Sequence, residues 1–492
     1  MIRLQKEKIF KFSLYLLSFS IFLIILIFVL IVGHNIFGTN RGLFFSAISI
    51  VTFFLILFSL FLPLKYFCYI YILLLPFFLR LNVTRFYIEM FDLKLHPIVL
   101  SQFFFISIGF IKIFIEGKFP KKYDINGFLI SLSFLLLITG GIVSSLITKT
   151  AVGGDTTVSF LSFIFAFPIP FSFFFIYSNS INNLSELKTI LVLFVFSIFL
   201  NSITGLLNII TRFNLVEIFV NRASFNFIGP NVYAATVLIF VPISFFLFNI
   251  EKKLKKFILF IIFLVINLSI LMTISRGGLL SLFLIYILFF ILIKDYRKNI
   301  SILFNITLVV ALFAFGLLFN VISRFFTIFT RTKVTEFSTL IRVNAWKLSI
   351  SQIPHNLLGI GGNQFPHLWR NYGAFPDQLV LHSHNLILGL TIEYGILAIL
   401  GFLLFNGLII LKLYQVSKKV SGDIKNLSLS FFISLISFFF MGSISEGPRA
   451  HLSNEGFLTN DPLVVYYILL GIIYSFLKIL NYEEKNIDTG TA

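Results

Sequence analysis

Residues 251–300 read EKKLKKFILFIIFLVINLSILMTISRGGLLSLFLIYILFFILIKDYRKNI. Two apolar runs, about 258–274 and 279–293, are joined by the short turn Thr273-Ile274-Ser275-Arg276-Gly277-Gly278. The first run has no polar face at either the helical or the strand period, so it suits a helix surrounded by apolar material on every side. Lys252, Lys253, Lys255 and Lys256 precede the pair, and Lys294, Arg297 and Lys298 follow it. Basic residues at both open ends and almost nothing between the runs predict a membrane hairpin whose open ends face the cytoplasm.

The same pattern extends along the chain. Apolar spans are expected at about 12–33, 44–62, 66–80, 98–115, 128–147, 159–177, 189–211, 232–250, 258–274, 279–293, 301–320, 384–411, 427–444 and 463–481. Fourteen such runs, each near the ~20 residues of one crossing, predict an all-α polytopic membrane protein of about 14 transmembrane helices (12–14), folded as one domain over 1–492. Of the 492 residues, 58% are hydrophobic and 12% charged, and the mean hydropathy is +1.01. Soluble domains carry about twice that share of charge. Runs of continuous apolarity such as Leu14 to Val32 exclude a transmembrane barrel, which alternates along ~10-residue strands. The one cysteine, Cys68, leaves no internal disulfide and no cysteine metal site.

Lys and Arg outnumber Asp and Glu by 38 to 20. In a membrane protein that excess first concerns orientation, and it gives no reason to expect a nucleic-acid partner. The basic first span is too long for a signal-peptide core and lacks a small-x-small site, so it stays as an anchor with the N-terminus inside. Alternation then places 21 of the 25 lysines inside and 11 of the 13 arginines outside, among them Arg222, Arg276, Arg331 and Arg342. Both termini are expected in the cytoplasm, with 482–492 a short disordered tail. Orientation needs positive charge but has no need of guanidinium. An arginine-rich outer face suits either simple interfacial tolerance or a substrate bearing phosphate or diphosphate, whose oxygens the guanidinium fork matches.

Most connections are short, and 321–383 is the exception: a large outer loop, of a length usually tied to function. Within it, Thr335 to Gln352 is expected to be helical, with Arg342 and Trp346 one turn apart and Pro354 just beyond the end. Gly359-Ile360-Gly361-Gly362-Asn363 follows as a flexible turn, and four of the seven histidines lie between 355 and 384. His382 and His384, two positions apart, share no helix face and have no carboxylate close in sequence, so a metal site is not expected. A neutral imidazole works as a general base near neutral pH; packing at the interface is the alternative reading for these rings. Arg276 in its turn is equally open to two readings, a snorkelling side chain or a paired, functional charge. Glu393 falls on the opposite helix face from His384 and is expected to make a structural contact. Glu446-Gly447-Pro448-Arg449-Ala450-His451 reads as an outer surface loop.

Four blocks, in order, resemble the O-antigen ligase and polymerase superfamily. They are Phe225-Asn226-Phe227-Ile228-Gly229-Pro230-Asn231; Ser275-Arg276-Gly277-Gly278; Arg342 to Trp346 followed by Leu358-Gly359-Ile360-Gly361-Gly362-Asn363-Gln364-Phe365; and His384-Asn385 followed by Gly395. They cover about 225–400, and Ala398 stands where the ligase pattern has Gly, Thr or Tyr. The resemblance implies a GT-C-like, metal-independent and cofactor-free glycosyltransferase of the bacterial inner membrane. Such an enzyme moves a glycan from an undecaprenyl diphosphate donor to an acceptor hydroxyl, on a lipid A-core sugar for a ligase or on the next lipid-linked repeat for a polymerase. By matching position, Arg276 and Arg342 hold the diphosphate and His384 is the base. Ser275, Asn385, Trp346, Asn363, Arg222 and Arg331 are the expected substrate-binding residues. A lipid-linked-oligosaccharide flippase is the competing class. It calls for charges in mid-membrane, whereas the notable charges here lie at the outer ends.

Overall fold

The computed structural model describes residues 62–81, 88–90, 93–95, 97–118, 125–212, 229–313, 333–375, 377, 380–444, 451–452, 458–459 and 461–488. Its helices are α1 Leu64–Leu81, α2 Pro97–Ile115, α3 Ile125–Val152, α4 Thr156–Ala166, α5 Pro168–Ser178, α6 Leu184–Arg212, α7 Pro230–Leu238, α8 Phe240–Ile250, α9 Lys253–Met272, α10 Arg276–Leu292, α11 Arg297–Phe313, α12 Lys333–Gln352, α13 Phe365–Tyr372, α14 Leu386–Lys419, α15 Gly422–Ile444 and α16 Asp461–Asp488. Two short antiparallel pairs, β1 Ile88–Met90 with β2 Leu93–Leu95 and β3 His451–Leu452 with β4 Leu458–Thr459, are the strands among the described residues.

Eight helices or helix pairs among the described residues are long and apolar enough to cross a membrane, or nine if α10 and the helix after it count as one span. The expected spans 12–33 and 44–62 lie outside the described residues. Lys294–Asn305 leaves α10 at 104°, and the expected span 301–320 is described only as far as Phe313. The expected tail also differs, because α16 runs on to Asp488. Glu483, Glu484 and Lys485 are good helix formers with no Pro or Gly among them.

Two spans are broken in the middle. Phe167 leaves the helical region just before Pro168, which starts α5 with its fixed φ at the first helical position. Between α7 and α8, the carbonyl of Ile239 accepts from Ser434 Oγ of α15 at 2.7 Å, and Pro242 stands in the first turn of α8, where proline is tolerated. α3 and α14 form the most extensive helix pair. Small residues permit it: a Cβ on Gly140 would lie 2.6 Å from the Ala398 amide, and one on Gly401 would lie 2.8 Å from that of Leu137. Ala398 is fully buried there, so the position has no room for a larger side chain.

Phenylalanine serves both surfaces. Phe105 of α2 stacks between Phe67 of α1 and Phe173 of α5, with centroids 4.5 and 5.0 Å away. Phe114, Phe128 and Phe290 instead stand exposed on the periphery, where a lipid-facing belt belongs.

The connections gather at two ends. One is lysine-rich and is tied by Lys65 to Glu186 (2.8 Å), Lys118 to Glu116 (2.8 Å) and Lys188 to Glu251 (2.6 Å). The other holds 153–155, 229–231, 273–276, 353–364 and 380–386, and it is where the motif residues meet.

Candidate active site

The corner before α10 is the first part. Met272 ends α9, and Thr273 Oγ1 accepts from the Ser275 amide at 3.2 Å. Ile274 takes a left-handed φ of 47°, an unusual conformation for a β-branched residue, held here by complete packing around it. Ser275 caps α10 by accepting from the Gly278 amide at 3.2 Å, and its hydroxyl donates to Asn231 Oδ1 at 2.8 Å. Gly278 leaves room for Ala234 of α7. Two sequence blocks 44 positions apart are thus one hydrogen-bonded corner. Ser275, expected to touch substrate, is fully buried and committed in both directions. It positions Arg276, the half-buried first residue of α10.

The start of α14 is the second part. Asn385 caps the helix by accepting from the Leu388 amide at 3.0 Å, and its Nδ2 donates to the carbonyl of Ser443 in α15 at 2.7 Å. Each end of the amide thus makes one bond within the fold. Ser383 Oγ donates to the Asn385 carbonyl at 2.9 Å. His384 sits just before the cap with φ 56°, and its ring meets that of buried His382 edge to face, centroids 4.1 Å apart. α10 and α14, the helices that carry Arg276 and follow His384, both pack on α15. Both present the positive end of a helix dipole to this side of the bundle.

The third part is a strap laid across a broken helix. Gly395 interrupts α14 with φ 81° and ψ 179°, a region open essentially to glycine alone. The Ile360 amide donates to the Ile392 carbonyl at 2.9 Å, the Gly361 amide to that of Glu393 at 2.8 Å, and the Ile396 amide to that of Leu357 at 2.9 Å. Backbone groups freed by the break are satisfied by the strap, the condition on which irregular backbone survives in an apolar interior. A Cβ on Gly359 would lie 2.6 Å from the Glu393 carbonyl, and one on Gly362 2.5 Å from the Tyr394 hydroxyl. The glycines of the strap are therefore required by close approach, where the sequence suggested flexibility. Asn363, expected to bind substrate, has a left-handed φ of 60° and gives its amide to the Glu393 carboxylate. Glu393 accordingly makes a structural contact, as expected.

Gln364 belongs to the same strap, although nothing in the motif blocks gives it a role. Its Nε2 donates to the Asp155 carbonyl at 3.2 Å and its Oε1 accepts from the Asp155 amide at 3.3 Å, joining the strap to the α3–α4 turn across 209 positions. Asp155 in turn caps α4. The only sequence signal for this latch is the polar glutamine set between Asn363 and the apolar Phe365.

Above the strap, α12 ends at Gln352, two residues before Pro354, and it starts at Lys333, slightly ahead of the expected Thr335. Its Ala345 and Leu348 pack with Ile360, Phe365, Trp369 and Ile392 into a small second core. Arg342 and Trp346 are half-buried on the adjoining face. Trp346 Nε1 is a buried donor with no acceptor among the described residues. Arg222 and Arg331 lie outside the described residues, as do 445–450. Among the described residues no three His, Cys, Asp or Glu side chains are grouped to hold a metal ion.

A multi-pass helical membrane protein, with an arginine and a histidine at two helix starts beside a strapped helix break, defines the class. Within it, residues 258–403 match the family model described as O-antigen ligase, in line with the resemblance carried by the motif blocks. The match supports O-antigen ligase or polymerase-type activity and, with it, a lipid-linked glycan and a glycan acceptor as partners. It takes in Ser275, Arg276, Arg342, Trp346, Asn363, His384, Asn385 and Gly395, and it begins after the Phe225 to Asn231 block. No curated protein matches the chain.

Proposed function

We propose that the chain is an inverting, metal-independent glycosyltransferase of the bacterial inner membrane. It takes a glycan from undecaprenyl diphosphate at the periplasmic face and attaches it to lipid A-core as an O-antigen ligase. The observation that carries this reading is the placement of Arg276 and His384 at the starts of α10 and α14, two helices packed on α15 within the family-matched region.

Arg276, at the positive end of α10, and Arg342 neutralise the diphosphate as its bond to C1 breaks. Charge that grows on the leaving group is what such donors stabilise, so no acid is needed on that side. The acceptor oxygen attacks C1 from the opposite face while His384 takes its proton. The C1–O electron pair leaves with the diphosphate, and the anomeric centre inverts. The Trp346 indole, a buried donor beside Arg342 on α12, suits a substrate oxygen. The strap and α12 cover the site against water, which would otherwise hydrolyse the donor. The same reading places both termini and the lysine-rich end in the cytoplasm, takes 12–33 and 44–62 as two further spans of fourteen, and assigns a GT-C-like architecture.

The test is a deletion strain whose lipopolysaccharide is resolved by electrophoresis. Bare core with accumulated long prenyl-linked chains is the expected result. Core capped with a single repeat would instead mark a polymerase, and donor trapped on the cytoplasmic leaflet would mark a transporter.

A further inference from the structure

The lysine-rich end carries a cavity of about 330 Å³ between the last turn of α10 and the α14–α15 corner. That volume falls in the range of small-molecule sites, roughly 300–1,000 Å³. Its wall is apolar at Ile291 and Leu429, and Lys294, Lys418 and Lys425 stand around it. Among the described residues, Glu186, Glu116 and Glu251 of this end are held in ion pairs and Asp423 meets the Tyr296 hydroxyl, while Asp295 lines the cavity beside Asn426, one carboxylate against three lysines. Lys418 lies over the Tyr414 ring at 5.1 Å. Among the described residues, none of the three lysines is in a salt bridge. Orientation alone does not require this arrangement, because Lys252, Lys253, Lys255 and Lys256 supply charge at the same end without lining the cavity.

We propose that this cavity binds the phosphodiester headgroup of an anionic phospholipid. Ammonium groups act as point charges on phosphate oxygens without a fixed geometry. Basic pockets between helices at a membrane surface are suited to such headgroups. Ile291 and Leu429 offer the apolar surface that an acyl chain needs and a free phosphate does not. Binding at this site is independent of the glycosyl-transfer reading, because it lies at the end of the bundle away from Arg276 and His384.

The full-length protein is reconstituted in vesicles of equal parts phosphatidylcholine and phosphatidylglycerol, extracted in mild detergent and weighed with its retained lipids by native mass spectrometry. The wild type and the control Lys253→Gln/Lys255→Gln/Lys256→Gln are expected to retain phosphatidylglycerol. Lys294→Gln/Lys418→Gln/Lys425→Gln is expected to lose roughly tenfold to a hundredfold of that retention, with an unchanged thermal unfolding midpoint. If the triple variant unfolds, Lys425→Gln alone decides the matter by a smaller loss in the same direction. Equal retention in both triple variants, or equal loss in both, overturns the proposal. So does complete displacement of the lipid by millimolar inorganic phosphate, which would mark a free-anion site.

Discussion

The Gly361 amide donates to the Glu393 carbonyl at 2.8 Å, so a loop residue completes the hydrogen bonding of a membrane helix interrupted two residues later at Gly395. This bond is one of three backbone bonds that hold the strap against α14 around its break.

Gly395→Ala is expected to lower stability by about 1–3 kcal/mol, because an alanine would occupy the ε region and its Cβ would lie 2.5 Å from the Leu358 carbonyl carbon. Gly407→Ala, in the same helix with open space around it, should stay within about 0.5 kcal/mol. Thermal unfolding of the two detergent-purified variants checks the contrast, and equal midpoints would remove the break as a structural necessity.

Ser275→Ala removes a helix cap and the bond to Asn231 together, at a cost of about 1–2 kcal/mol. A double-mutant cycle with Asn231→Ala should show a coupling of roughly 0.5–3 kcal/mol. Transfer should fall as well, since Arg276 follows the cap. Additive stabilities in the cycle would mean that the 2.8 Å contact contributes nothing.

His384→Ala is expected to slow transfer by about 10²–10⁴-fold, the range of a lost general base, with retention of the prenyl-linked donor unchanged. Arg276→Lys and Arg342→Lys should raise the KM for donor and lower kcat as well, because the fork that holds the diphosphate and stabilises it as it leaves is lost while the charge stays. Steady-state kinetics with a purified lipid-linked glycan separates the two effects. Full activity in His384→Ala would exclude it as the base.

Glu393→Ala strips the Asn363 amide of a buried acceptor, at a cost of about 1–3 kcal/mol. Glu393→Gln keeps an oxygen in place and should retain most of the stability and the transfer activity. Unfolding midpoints of both variants, read with an activity assay, give the comparison. Loss of transfer in a stable Glu393→Gln would give the carboxylate a chemical role beyond holding the strap.

Much of this organisation is legible in the chain. Apolar runs mark the eight helices or helix pairs that are long enough to cross a membrane among the described residues, because continuous apolarity over the width of a bilayer has few other solutions. The α12 helix is readable from Leu340, Val343 and Leu348 with Pro354 as its stop. The match over 258–403 falls on blocks that stand out by residue type alone. Ser275, Asn385 and Asn363 stand out as well, and each has a partner in the fold that its residue type does not reveal. Residue type shows that a side chain is polar, and only the fold shows which partner it faces. Ser275 meets Asn231, Asn385 meets Ser443, and the Asn363 amide meets Glu393.

The sequence by itself determined a multi-pass helical protein and which arginines and histidines a site could draw on, because hydrophobicity and side-chain chemistry are properties of residues taken singly. Tertiary structure decided that the glycines of 359–362 form a strap, that α14 breaks at Gly395, and that Gln364 latches onto Asp155. Each of these depends on backbone groups from distant segments meeting within hydrogen-bond reach, which no local pattern encodes.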